Sequence, residues 1–171
     1  MEKKATIVNL VNEYDGCIPF SEKKISVIVD YILTRELEDG NYSLSIINCT
    51  DERIRELNLD YRGVDEPTDV LTFALSDDQL DDNILELGDI FLSIDTINQQ
   101  ASNWQNTPKE EYLFMLIHGL LHICGYDHKG PYQYEKEGEA IEEEMFRRQR
   151  SYFEALKGGF KRSESVGNPF A

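Results

Sequence analysis

The chain of 171 residues is short of several things that decide a protein's class. Its three cysteines, Cys17, Cys49 and Cys124, are scattered and form no CxxC pair. That excludes a disulfide frame and a cysteine zinc site, and points to reduced thiols in a cytoplasmic protein. No apolar run reaches the ~18 residues that span a bilayer, so no membrane partner is expected. The N-terminal MEKKATIVNL has two lysines but neither an apolar stretch nor a small-residue cleavage site, so no signal peptide is expected. Basic residues are outnumbered: 17 Lys and Arg against 33 Asp and Glu give a net charge of −16. Alone, that argues against a nucleic-acid partner, because phosphate contacts need Lys and Arg. Net charge describes solubility and steering, however, not what one groove holds. The charge is also uneven. Residues 77–89 and 135–144 are acidic, whereas Arg147, Arg148, Arg150, Lys157, Lys161 and Arg162 oppose only Glu154 in 145–162.

What is present reads as one α+β (mixed α/β) domain over residues 1–157, with a tail from 158 to 171. Four strands are expected, at 5–11, 42–48, 69–75 and 88–94, forming a mixed sheet packed with helices. Ser21 opens a helix with Ile25, Ile28, Val29, Ile32 and Leu33 on one stripe. Thr50 or Asp51 opens a second, with Ile54, Leu57 and Tyr61. Ser93 opens a third, with Ile94, Ile97, Ala101 and Trp104. Thr107, Pro108 and Glu110 spell a capping box that starts a helix over 108–124. Gly125 stops it, since glycine tolerates the left-handed conformation past a helix end. A last helix covers about 134–156, with Ile141, Met145, Tyr152 and Leu156 along one seam. The acidic stretch 76–83 reads as a loop.

Histidine is as scarce as cysteine, yet all three histidines fall in HGLLHICGYDH (118–128). His118 and His122 are one helical turn apart on one face and can grip one ion. His128 follows the turn at Gly125 and can reach the same ion. Three neutral imidazoles suit one Zn²⁺ and leave a fourth position open, as in a catalytic site. Cys124 points about 160° away from His122 on a helix and is a poor fourth ligand. The spacing equals that of the metzincin peptidases, H-E-x-x-H-x-x-G-x-x-H, but Gly119 stands where their general base would be. A peptidase reading therefore loses its base while the metal scaffold survives.

Three blocks together resemble the YbeY family of bacterial endoribonucleases. HGLLHICGYDH is similar to that family's HGxLHLxGYDH. LNLDYRGVDEPTDVLTFAL (57–75) is similar to its NxxYR…TDVLSF block, and LGDIFLS (87–93) to its LGDIxIS block. Thr72 replaces the usual Ser and Ile123 the usual Leu. The resemblance implies a zinc-dependent, single-strand-specific endoribonuclease of the cytoplasm. It also implies work on the 3′ end of small-subunit ribosomal RNA, ribosome quality control, and the ribosome or its proteins as partners. By the same resemblance the metal ligands are His118, His122 and His128, and the functionally important arginine, given a catalytic role, is Arg62. The C-terminal basic extension lies outside the shared pattern.

That chemistry suits the residues. Arg62 can hold a phosphate through its planar guanidinium; structurally it could simply pair with a surface acid after its helix. RNA carries its own nucleophile, the 2′-hydroxyl, so the missing glutamate at Gly119 reads as a mark of a phosphodiester substrate. Asp69, Asp89 and Asp127 are candidates for orienting the imidazoles, with turn or strand roles as alternatives. The arginines of 145–162 could meet RNA, but charge complementing a helix C-terminus is the simpler reading. Two other functions stay open: a zinc metallopeptidase-like hydrolase with another base, and a metal-stabilised ribosome-associated factor with little catalysis.

Overall fold

The computed structural model describes residues 5–75, 83–126 and 135–161. The elements are β1 (Thr6–Asn12), α1 (Glu22–Glu36), β2 (Asn41–Cys49), α2 (Asp51–Arg62), β3 (Val70–Ala74), β4 (Ile84–Ser93), α3 (Ile94–Ala101), α4 (Pro108–Ile123) and α5 (Glu135–Lys161). The strands form one sheet in the order β1-β2-β4-β3. β1, β2 and β4 run parallel, and β3 is an antiparallel edge strand on β4. The expected mixed α/β domain with a four-stranded mixed sheet is what the chain forms.

The central strands are buried on both faces, which is why β2 reads as a near-continuous apolar run rather than an alternation. Leu44 and Ile46 of β2, with Ile90 and Leu92 of β4, face the large core shared with α1, α4 and α5. Ile47 and Cys49 face the other way, into a smaller cluster with Ile54 and Leu57 of α2 and Leu71 of β3. α4 and α2 therefore lie on opposite faces of the sheet, with the β3 edge between them.

The helix starts follow their caps. Ser21, Thr50 and Ser93 each accept a backbone N–H three residues on, and Thr107 and Glu110 form the reciprocal capping box. Asp51 and Ser93 also join two of these starts. The Ser93 hydroxyl donates to Asp51 across 2.7 Å, and the Asp51 N–H donates to Asp95 across 2.9 Å.

The structure departs from expectation at several places. Tyr61 is not on the buried stripe of α2; it is 68% exposed, and Asn58 is buried instead. Asn58 sits one residue beyond Leu57 and donates to the Glu66 carbonyl, tying down the return loop. Trp104 is also exposed, because α3 ends at Ala101 and tightens into a 3₁₀ turn over Ser102–Trp104 that swings the indole outward. Finally, α5 continues past 156 across Gly158 to Lys161. The acidic stretch 76–82 and residues 162–171 of the expected tail lie outside the described residues.

β4 begins four residues earlier than expected and runs through Gly88, beside a register shift against β2 between Ser43 and Ser45. Gly88 has φ of 132°, and a Cβ there would lie 2.0 Å from the Phe73 carbonyl oxygen. No rotamer relieves a clash with backbone. Gly88→Ala is therefore expected to cost at least about 3 kcal/mol, measured by urea unfolding; a loss below about 1 kcal/mol would contradict this packing.

Candidate functional site

α4 is the element from which the site is built. Its sequence is apolar almost all round, and ten of its sixteen residues are buried. It is wedged between the sheet and α5. Cys124 caps it, and Gly125 follows with φ of 112°, donating to the His122 carbonyl at 3.0 Å. Tyr126 then donates its N–H to the Leu121 carbonyl at 3.1 Å, which closes the helix end.

The structure brings His118 and His122 together. Their Nε2 atoms face each other at 3.0 Å. An ion held tetrahedrally at about 2.0–2.1 Å from each nitrogen would set them roughly 3.3 Å apart. The pair therefore fits one Zn²⁺ with a shift of a few tenths of an ångström. His128 and Asp127 lie outside the described residues. The chain leading to them is anchored, however. The Tyr126 hydroxyl donates to Glu36 at the end of α1 across 3.0 Å, and the same carboxylate takes Arg148 at 2.9 Å and the Tyr152 hydroxyl of α5. Arg148 also donates to Glu144 at 2.8 Å. This arginine thus holds α1, α5 and the turn together rather than standing free for RNA. Arg147 and Lys157 pair at the surface with Glu144 and Glu154.

Gly119 has a packing reason for being glycine. It faces the sheet, and a Cβ there would lie 2.7 Å from Ile90 Cγ2, 3.3 Å from Val70 Cγ2 and 3.4 Å from Thr72 Cγ2. A glutamate would be driven into β3 and β4. The absent acid is accounted for by the close approach of α4 to the sheet, not only by the class of substrate.

Arg62 ends α2, exposed, on the other side of the β3 edge. Gly63 caps that helix in the left-handed conformation, φ 70°. Among the described residues no ion pair occupies Arg62, whereas Arg55 is held by Asp65 and Arg53 by Glu13 and Glu56. No hydrogen bond joins Arg62 to either histidine.

Asp69 is structural. It accepts the Val70 N–H at 2.8 Å and the Gln100 amide at 3.0 Å. Gln100 also donates to Glu111, which is buried and takes Asn106 as well. Glu111 lies seven residues before His118, on the same face of α4, so this network fixes the histidine-bearing face against α3 and the start of β3. Among the described residues no hydrogen bond joins Asp89, on β4, to an imidazole, and it sits opposite Phe73 in the sheet. One residue escaped the sequence reading. Gln149 of α5 is 1% exposed, and its Oε1 lies 3.2 Å from His118 Nδ1. Its signal was a carboxamide inside an otherwise apolar seam of Met145, Phe153 and Leu156.

The thiols stand apart from this chemistry. Burial, then Glu36, pushes Cys124 up to about 12, and burial, then Glu13, does the same to Cys49. A raised thiol favours the neutral form. Its contribution to stability is present below the ordinary thiol range and is lost as pH rises from there toward about 12.

The comparisons with known proteins agree with one another. The family model described as Endoribonuclease YbeY matches residues 12–157. A protein of Petrotoga mobilis named Endoribonuclease YbeY is 37% identical over 149 residues, covering 87% of this chain and 94% of its own. One of the same name from Heliobacterium modesticaldum is 34% identical over 156 residues, covering 82% and 93%. A solution structure from Thermotoga maritima superposes with a TM-score of 0.60 at 29% identity, covering 94% of this chain and 96% of that one.

Two tests follow from this geometry. Gly119→Ala is expected to destabilise the chain by about 1–2 kcal/mol net, overpacking outweighing alanine's better helix propensity. Combining it with Ile90→Ala should cost less than the sum of the two single changes; strict additivity in denaturant unfolding would refute the contact. At neutral pH a thiol reagent should modify exposed Cys17 promptly and leave Cys49 and Cys124 until the chain is unfolded. Prompt labelling of all three in the native state is the contrary result.

Proposed function

The chain belongs to the YbeY family of endoribonucleases, hydrolases that act on RNA, and we propose that it is a zinc-dependent, single-strand-specific member. On this reading it matures the 3′ end of small-subunit ribosomal RNA and serves ribosome quality control in the cytoplasm, in contact with the ribosome or its proteins. The observation that carries the metal part is the pair of Nε2 atoms 3.0 Å apart on α4. Among the described residues no helix is long and apolar enough to cross a membrane.

His118 and His122 would hold the ion, with His128 as the third ligand. When bound, Zn²⁺ supplies a Lewis acid for phosphoryl oxygen and lowers the pKa of a bound water. The protein's own work is positioning. The rigid α4 keeps two imidazoles on one line, and the turn held by Tyr126 and Glu36 directs the chain toward His128. Arg62, which has no ion pair among the described residues, would take a phosphate bidentately and fix the strand's register. The nucleophile would be the substrate's own 2′-hydroxyl rather than a water activated from position 119, and the proton it gives up would pass to a base other than that residue.

The ten buried residues of α4 also bear on whether metal holds the fold. Chelation is expected to abolish cleavage while leaving the far-UV circular dichroism and the melting transition largely in place. Unfolding on chelation would instead favour a structural metal.

The activity itself is tested with the full chain, its metal content quantified, on single-stranded and duplex RNA. His122→Ala should lose bound zinc and cleave on the order of 100-fold more slowly or worse. Arg62→Ala should keep the zinc and lose about 100–1,000-fold. Equal residual cleavage by wild type and both variants would mean a contaminating nuclease and end the proposal.

A further inference from the structure

Gln149 has no ordinary reason to be where it is. It lies in the apolar seam by which α5 packs on α4, 1% exposed. A buried carboxamide is tolerated only when its polar ends are satisfied. Its Nε2 donates to the Phe114 carbonyl at 3.1 Å, and its Oε1 lies 3.2 Å from His118 Nδ1. Phe114 is four residues before His118, so one amide braces both the turn beneath the histidine and the histidine ring.

The direction of these bonds follows from chemistry rather than from an assigned amide flip. A backbone carbonyl cannot donate, so the amide nitrogen must face Phe114. The amide oxygen then faces His118, and an oxygen without a proton requires a donor there. His118 Nδ1 must carry the hydrogen. In a neutral imidazole that leaves Nε2 as a lone pair, and Nε2 is the atom turned toward His122.

We propose that Gln149 is a positioning residue that locks His118 in the Nδ1–H tautomer and one ring orientation, so that Nε2 is presented ready to bind the metal ion. The inference rests on the zinc reading for its purpose, but not for its observation. Free imidazole favours a proton on Nε2, the form that blocks the ligating atom, so the lock removes a rearrangement that ion binding would otherwise require. Partners of this kind typically change metal affinity 10–100-fold.

The test uses the full-length, metal-free protein at a pH above the ordinary imidazole range. Two-bond ¹H–¹⁵N correlation spectra are expected to show His118 protonated at Nδ1 in the wild type and shifted toward Nε2–H in Gln149→Met. Zn²⁺ affinity, read by competition with a chromophoric chelator, should fall 10–100-fold in Gln149→Met and recover in Gln149→Glu, which keeps an acceptor for Nδ1–H. Melting of the metal-free variants serves as the folding control, and the wild-type tautomer needs no variant. A wild type with His118 protonated at Nε2, or a folded Gln149→Met that binds zinc as tightly as wild type, would overturn the proposal. A wild type that shows the Nδ1–H tautomer yet takes up no zinc would overturn the zinc reading and leave the tautomer lock standing.

Discussion

The site depends on how closely α4 can approach the sheet. Gly119 allows it, since a Cβ at that position would already be 2.7 Å from Ile90 Cγ2. With the helix seated there, the face one residue back carries His118 and His122, and their ring nitrogens converge. The glycine that separates this pattern from a peptidase signature is thus part of the scaffold. A side chain at 119 would lift the helix off β3 and β4 and spread the imidazoles from their partners. The contact is between packed hydrocarbon surfaces, which deform little, so the histidine geometry inherits the rigidity of the core.

Around that contact, polar groups are spent on orientation. Glu111, buried beneath the histidine face, is held by Gln100 and Asn106, and Gln100 in turn holds Asp69 at the start of β3. Glu36 gathers Tyr126, Arg148 and Tyr152, joining α1, α5 and the turn that leads to His128. Every basic side chain so committed is unavailable to a nucleic acid. In a chain of net charge −16, an RNA ligand gains nothing from long-range attraction and must be held by local contacts. Arg62, which pairs with no acid among the described residues whereas Arg53 and Arg55 do, is the contact proposed for that role.

Much of this was legible in the sequence, for identifiable reasons. Caps are local chemistry, so Ser21, Thr50, Ser93 and Thr107 marked their helices correctly. The histidine spacing announced a shared face because the helical period is fixed. What failed was tertiary. Tyr61 and Trp104 match the period of a buried stripe, yet α2 ends in a loop anchored by Asn58 and α3 tightens into a 3₁₀ turn, and both rings turn outward. At Gly119 the sequence offers a chemical reason for glycine, while the packing reason, Ile90 on another element, is visible only in the fold. The signal at Gln149 is not legible in the sequence alone, because a polar residue within a seam has meaning only once the ring it faces is known.

On the proposed reading the two imidazoles on α4 are ligands of one zinc ion, completed by nitrogen or oxygen rather than sulfur. X-ray absorption at the zinc edge of the full-length, zinc-loaded protein tests it most directly. The expected result is a shell of nitrogen and oxygen at about 2.0–2.1 Å with the multiple scattering of imidazoles. A sulfur shell at about 2.3 Å, the distance of a cysteine ligand, or an absence of imidazole scattering would contradict it.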